Sequence, residues 1–290
     1  MARYDAERVG VAPWLLSGPA LLVFIALLLA PLLLTAVLSL NLFSDTDGVV
    51  PSYSLGNYLE VFKDDYFHEI FLRTGGMALA VTVLCVLLGI PETIIIARMA
   101  PRWRSLFLLV VLGPLLISVV VRTLGWAILL GNNGLINDAL QAVGITDQPV
   151  KMLFTQVGVV IALTHVLVPF MVIAVWATLQ RLDLQVEWAG LSLGASRLTV
   201  FRRIILPQIM PGVLSGSIIV FALAASAFAT PAIIGGRRLK VVATAAYDEF
   251  LGTLNWPLGA AIAMLLLLAN LIIILGCSKL AERRFKQVFE

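Results

Sequence analysis

The chain has 290 residues, 60% of them hydrophobic and 13% charged, with a mean hydropathy of +1.01. Soluble domains carry about 25% charged and about 45–50% apolar residues, so this composition excludes one and predicts an integral membrane protein. The net charge of +3 does not point to nucleic acid, because the basic residues sit at the ends of apolar runs rather than in one domain.

Residues 1–13 form a polar tail, and a first span is predicted over about 14–42, with Pro19 and Pro31 inside it. That run is longer than the roughly 7–15-residue apolar core of a signal peptide. Residues 43–70 read as a polar, acidic loop containing Asn57, Tyr58, Glu60 and Glu69. A second span follows at 74–97, then a basic link, Met99–Ser105, and a third span at 106–130 with Pro114 as its expected kink. Gly131-Asn132-Asn133-Gly134 marks a turn, after which Leu135–Val143 has the pattern of a short amphipathic helix. The fourth span covers 154–179 and the loop after it 180–211, closed by a break at Pro211-Gly212. The fifth covers 213–234, the sixth 257–277, and a basic tail, 278–290, ends the chain.

Six spans place both termini and the loops 98–105 and 180–211 on one side. That side holds thirteen of the twenty basic residues, among them Arg3, Arg8, Arg98, Arg102, Arg104 and Arg283, and only six acids, Asp5, Glu7, Asp183, Glu187, Glu282 and Glu290. The positive-inside rule puts it in the cytosol. The expected location is therefore a membrane crossed several times, with both termini cytosolic.

Two charges fall inside spans, Glu92 and Arg122. Either marks ion coupling or snorkels to its own interface, and two such charges make a thin case for an ion-coupled secondary transporter. Cys85 and Cys277 lie in apolar surroundings without CxxC spacing and read as small buried hydrophobes. His68 and His165 are isolated. Gly216, Ser217, Ala222, Ala224, Ala225 and Ala227 make the fifth span rich in small residues, fit either for close helix packing or for lining a passage beside Phe221, Phe228, Thr230 and Pro231. The sequence has no HExxH, no GxSxG with partners and no Walker A motif, so it is expected to be no enzyme and to bind no ATP or metal itself.

The stretch Glu187–Pro207, EWAGLSLGASRLTVFRRIILP, fits neither a span nor a plain loop. Val186, Ala189, Gly190 and Leu193 follow helical spacing and form an apolar face of mostly small side chains. Gly194 interrupts that face, Arg197, Arg202 and Arg203 supply a cationic side to the next turn, and Pro207 is expected to stop the helix. An apolar helix outside the bilayer leaves surface for a partner to cover.

This stretch resembles the EAA motif of permease subunits of binding-protein-dependent ABC importers: E-A-A, three residues, G, nine residues, I-x-L-P. Gly194, nine residues, and then Ile204, Ile205, Leu206 and Pro207 match its tail. At its front Trp188 stands in the glutamate position, Ala189 and Gly190 take the two alanines, and Glu187 is one residue early. The phrases RTLGW (122–126), GNNGLIN (131–137), LVPFMV (167–172) and ATPAIIGG (229–236) are similar to the polyamine (spermidine/putrescine) permease branch. The resemblance implies a type I ABC importer permease fold: an all-α integral membrane protein of six transmembrane helices, with a cytosolic coupling helix between the fourth and fifth. It implies alternating access driven by two copies of an ABC ATPase that hold ATP and Mg, a second, related permease subunit, and an extracytoplasmic solute-binding protein. The coupling residues it implies are Glu187, Trp188, Ala189, Gly190, Gly194, Ala195, Ser196, Arg202, Arg203, Leu206 and Pro207. For a polyamine cargo, Phe221, Phe228, Thr230, Asp248, Glu249 and Trp256 are the pathway candidates, through charge pairing and cation–π contact. Arg122 suits an anionic solute better.

Overall fold

The computed structural model describes the backbone of residues 12–182 and 184–289, and side chains from Ser17 to Lys279 other than those of 183 and 184. Arg3, Arg8, Arg283, Arg284 and Lys286, and the acids Asp5, Glu7, Asp183, Glu282 and Glu290, used in the charge balance, lie outside the described side chains. The described residues form α1 (Ala12–Leu38), a hairpin of β1 (Leu42–Ser44) and β2 (Gly48–Val50), α2 (Gly56–Lys63), α3 (Asp65–Arg98), α4 (Pro101–Leu116) and α5 (Val119–Leu129). Then come α6 (Leu135–Ala142), α7 (Gln156–Leu179), α8 (Leu184–Ser192), α9 (Arg197–Val200), a π-helical turn (Phe201–Ile205) and α10 (Leu206–Ala225). A second π turn (Pro231–Gly235), α11 (Val242–Leu251) and α12 (Trp256–Phe289) complete the chain. Among the described residues, five helices are long and apolar enough to cross a membrane, or six if the bent pair, α4 with α5, is one span.

The second predicted span lies inside α3. At 34 residues this helix is about 51 Å long, against an apolar bilayer core of about 30 Å. Its first turns, with Asp65, Glu69 and Arg73, therefore extend past the apolar stretch, and the Arg73 guanidinium pairs with Glu69 and donates to the Lys240 carbonyl at 3.1 Å.

The third span differs from the expected kinked helix. Its two halves bend by 99°, and the break falls at Ile117–Ser118, beyond Pro114. Ile117 (φ −94, ψ 140) and Ser118 (φ −50, ψ 132) are both non-helical, so the last carbonyls of α4 lose their intrahelical donors. One donor comes from across the bend, where the Arg122 guanidinium bonds the Pro114 carbonyl.

The fifth span differs too. Helix runs without interruption from Arg197 to Ala225, so neither Pro207 nor Pro211-Gly212 ends it. The π turn explains how it passes Pro207. A proline lacks the N–H for an i−4 bond and its ring crowds that carbonyl; here the ladder has just widened to i−5, with the Leu206 N–H bonding the Phe201 carbonyl. Pro211 and Gly212 are buried in the packing against α7. The helix ends at Ser226, well short of Gly235, and the Ser226 hydroxyl bonds back to the Ala222 carbonyl at 2.8 Å.

The core is a three-way packing of α3, α7 and α10. Met171 of α7 is fully buried between two glycines. A Cβ on Gly89 of α3 would lie 2.7 Å from its Cγ, and one on Gly216 of α10 would lie 2.9 Å from its sulfur. Gly216, Ala224 and Ala225 are buried, which assigns that part of the small-residue run to helix packing. Cys85 is buried in this core, whereas Cys277 is exposed.

The contacts divide the chain into two compact units: residues up to Val61 with Ala246–Met264, and Phe62–Ala245 with Leu265 onward. In the first, the expected acidic loop is ordered by the hairpin and α2. Buried Asn57 donates to the carbonyls of Ser39 and Asn41, both at 2.8 Å, and Tyr58 shares a 2.7 Å hydrogen bond with the Ser39 hydroxyl.

Candidate functional site

Helix α8 and the turn after it are built from short local signals. Gly194 adopts φ +84, where side chains are rarely found, while the Ala195 N–H bonds the Gly190 carbonyl (3.2 Å) and the Gly194 N–H the Leu191 carbonyl (3.0 Å). These paired bonds are a Schellman cap, which satisfies the last carbonyls of α8 and reverses the chain. The next helix starts two residues on, where the Ser196 hydroxyl accepts the Thr199 N–H at 3.2 Å. Gly190 lies against the π turn: a Cβ there would come within 2.9 Å of Ile204 Cδ1 and 3.3 Å of Val200 Cγ2.

The outward face is apolar and uncovered. Trp188 is 69% exposed and Leu193 89%, with Val186, Ala189, Leu191 and Leu198 also exposed. Arg202 and Arg203 are exposed on the π turn, as is Pro207, while Ala195 and Leu206 pack against the core.

Glu187 points the other way. Its carboxylate lies 2.9 Å from the guanidinium of Arg98, in the last turn of α3, and its side chain is only 21% exposed. Beneath the pair is a cavity of about 410 Å³, lined by Ile94, Ala97, Arg98 and Arg104 from the α3–α4 corner, Trp176, Leu179, Gln180 and Leu182 at the end of α7, Glu187, and Ile205. Arg104 donates to the carbonyls of Ala97 (2.7 Å) and Met99 (3.3 Å), at the C-terminal end of α3, and lies over the Trp176 ring at 5.8 Å. In sequence Arg98 and Arg104 were legible only as interfacial charges, and no local signal singled out Trp176; their role depends on a chain reversal that brings α3 and α8 together.

A second cavity, about 300 Å³, lies at the break between α4 and α5. Arg122, Phe170, Phe228 and Thr230 line it, with Leu115, Leu163, Leu223 and Ala227 among its apolar walls. Thr230 is 3% exposed and lies 3.2 Å from the Thr123 hydroxyl, and the Trp126 indole donates to His165 at 3.1 Å. Phe221 packs against the core and is not among the lining residues. Asp248, Glu249 and Trp256 belong to the other compact unit. Glu249 accepts from the Thr253 hydroxyl at 2.6 Å, the Asp248 carbonyl receives the Gly252 and Thr253 N–H groups, and Trp256 opens α12 half-exposed.

A family profile described as "Binding-protein-dependent transport system inner membrane component" matches residues 103–286. The chain is 32% identical, over 222 residues, to the spermidine/putrescine transport system permease protein PotB of Escherichia coli K12, covering 77% of this chain and 80% of PotB. It is 35% identical over 201 residues to the molybdenum transport system permease protein ModB of Mycobacterium tuberculosis, covering 69% and 74% of the two chains. Among solved structures, a chain of a bacterial ABC transporter that imports the acidic polysaccharide alginate superposes with a TM-score of 0.73 at 19% identity, covering 93% of this chain and 96% of that one.

Proposed function

The chain belongs to the family of binding-protein-dependent transport system inner membrane components, and from that membership we propose that it carries a polyamine, such as putrescine or spermidine, through the inner membrane by alternating access. It is the permease-type membrane subunit of an ABC importer, a transport component. In the proposed complex an extracytoplasmic binding protein delivers the solute, a related second permease completes the passage, and two ATPase subunits holding ATP and Mg supply the energy. The exposed apolar face of α8 carries this reading. Trp188, Leu191 and Leu193 offer a rigid, capped surface at the end of the bundle, too apolar to be left in water without a partner. The positive-inside balance supports a cytosolic place for that surface and both termini, where the ATPases would meet it.

The likeness to PotB supports the polyamine. The test is uptake into proteoliposomes that contain the cognate permease pair and ATPase, with the binding protein outside and ATP within. Labelled putrescine or spermidine should enter only with ATP and binding protein present; entry driven by an ion gradient through this chain alone would overturn the importer reading. A second reading, an oxyanion cargo, is favoured by Arg122 on the wall of the cavity at the α4–α5 break. ATP-dependent molybdate uptake that excess spermidine leaves unchanged would select it.

A further inference from the structure

We propose that the Arg98–Glu187 ion pair is the mechanical link between α8 and the second membrane span, making Arg98 and Glu187 positioning residues for transport. The inference rests on the reading of α8 as the ATPase-facing helix and concerns what lies on its other side.

Helix α8 is held to the bundle in two distinct ways. Near its C-terminal end Gly190 abuts Ile204 and Val200, in the continuous helix that becomes α10. In its first turn it reaches α3 through Glu187 and Arg98, 2.9 Å apart. Each charge sits where its helix favours it, the cation at the C-terminal end of α3 and the anion at the N-terminal end of α8. Behind the pair lies the 410 Å³ cavity, which Arg98 and Glu187 both line. A push on α8 thus reaches α10 through packing and α3 through charge, and α3 and α10 are the two helices clasping α7. Glu187 does not face outward to meet a partner; the outward place belongs to Trp188, 69% exposed.

The test uses the whole complex in proteoliposomes, reading solute taken up per ATP hydrolysed. Arg98→Gln should keep the ATPase bound and hydrolysing within about twofold, and Arg98→Gln and Glu187→Gln should each lower that ratio by about fivefold or more. The exchange Arg98→Glu with Glu187→Arg should recover it to within about threefold. A ratio unchanged in both single variants overturns the proposal, as does an exchange variant no better than either single one. Gly194→Leu run in parallel separates the two readings. If Gly194→Leu uncouples and the pair variants do not, only the link fails; if Gly194→Leu also keeps normal coupling, the α8 reading fails with it.

Discussion

At the scale of single residues, Gly194 and Trp188 divide the work of the α8 turn. Nothing lies within 4 Å of a Cβ built on Gly194, so a larger residue meets no clash there; the obstacle is its φ of +84. Holding a side chain in that left-handed region costs about 1–2 kcal/mol, enough to unmake a local cap and too little to unfold a membrane bundle. Gly194→Leu should therefore insert and purify normally but hydrolyse ATP without solute uptake, whereas Gly194→Asn, which tolerates the same backbone, should stay close to wild type; parallel hydrolysis and uptake assays check both. Trp188, large, aromatic and 69% exposed, has the character of an interface anchor. Trp188→Ala should weaken retention of the ATPase by at least about tenfold, measured by titrating the purified subunit onto the detergent-solubilised permease. The spacing from Gly194 to Pro207 announced this turn in the sequence. The turning-in of Glu187 was invisible there, since its partner Arg98 is 89 positions away.

At the scale of helices, close packing limits what can change. Met171 sits between Gly89 and Gly216, and a Cβ on Gly216 would approach its sulfur to 2.9 Å and the Ala174 Cβ to 3.0 Å. Gly216→Leu should cost about 1–3 kcal/mol through overpacking; adding Met171→Ala should return part of it, and thermal melts in detergent will show whether the double variant lies above the single one. Hydropathy located most spans because burial in lipid demands long apolar runs whatever the tertiary contacts. It misjudged two of the several places where prolines fall in or beside a span. Pro207 looked like a terminator, but the π turn before it removes the conflict; Pro114 looked like the bend, but the chain breaks at Ile117–Ser118, where Arg122 reaches the vacated carbonyl. Both outcomes are decided by hydrogen-bond registers that composition does not encode.

For the whole molecule, family and fold were legible, and the cargo route was not. A 14-residue motif tail and six apolar runs suffice for the first two, whereas a route depends on which side chains share one cavity. The structure brings Arg122, Phe228 and Thr230 together and puts Asp248, Glu249 and Trp256 in a different compact unit. If the acidic pair nevertheless meets a cationic solute on its way in, Asp248→Asn with Glu249→Gln should raise the KM for putrescine uptake by about fivefold, the worth of one contact between partly hydrated charges. Unchanged KM removes both from the route and shifts attention to the cavity at Arg122.

The π turn has a consequence for how such a chain can vary in length. Successive residues of an α-helix advance by about 100° around its axis, and the i−5 ladder at Phe201–Ile205 accommodates one residue more than an α-helical turn would. Deleting a residue there would restore an ordinary ladder, and with it the clash between the Pro207 ring and the carbonyl four residues back. The helix would then kink at Pro207, and everything N-terminal to it, α8 included, would tilt relative to α10, carrying Glu187 away from Arg98 and turning Trp188 toward a new bearing. A one-residue deletion at 201–205 should thus leave a folded, membrane-inserted protein with an ATPase-facing surface aimed in the wrong direction, while the same deletion in the exposed Gly144–Asp147 loop should be silent in transport.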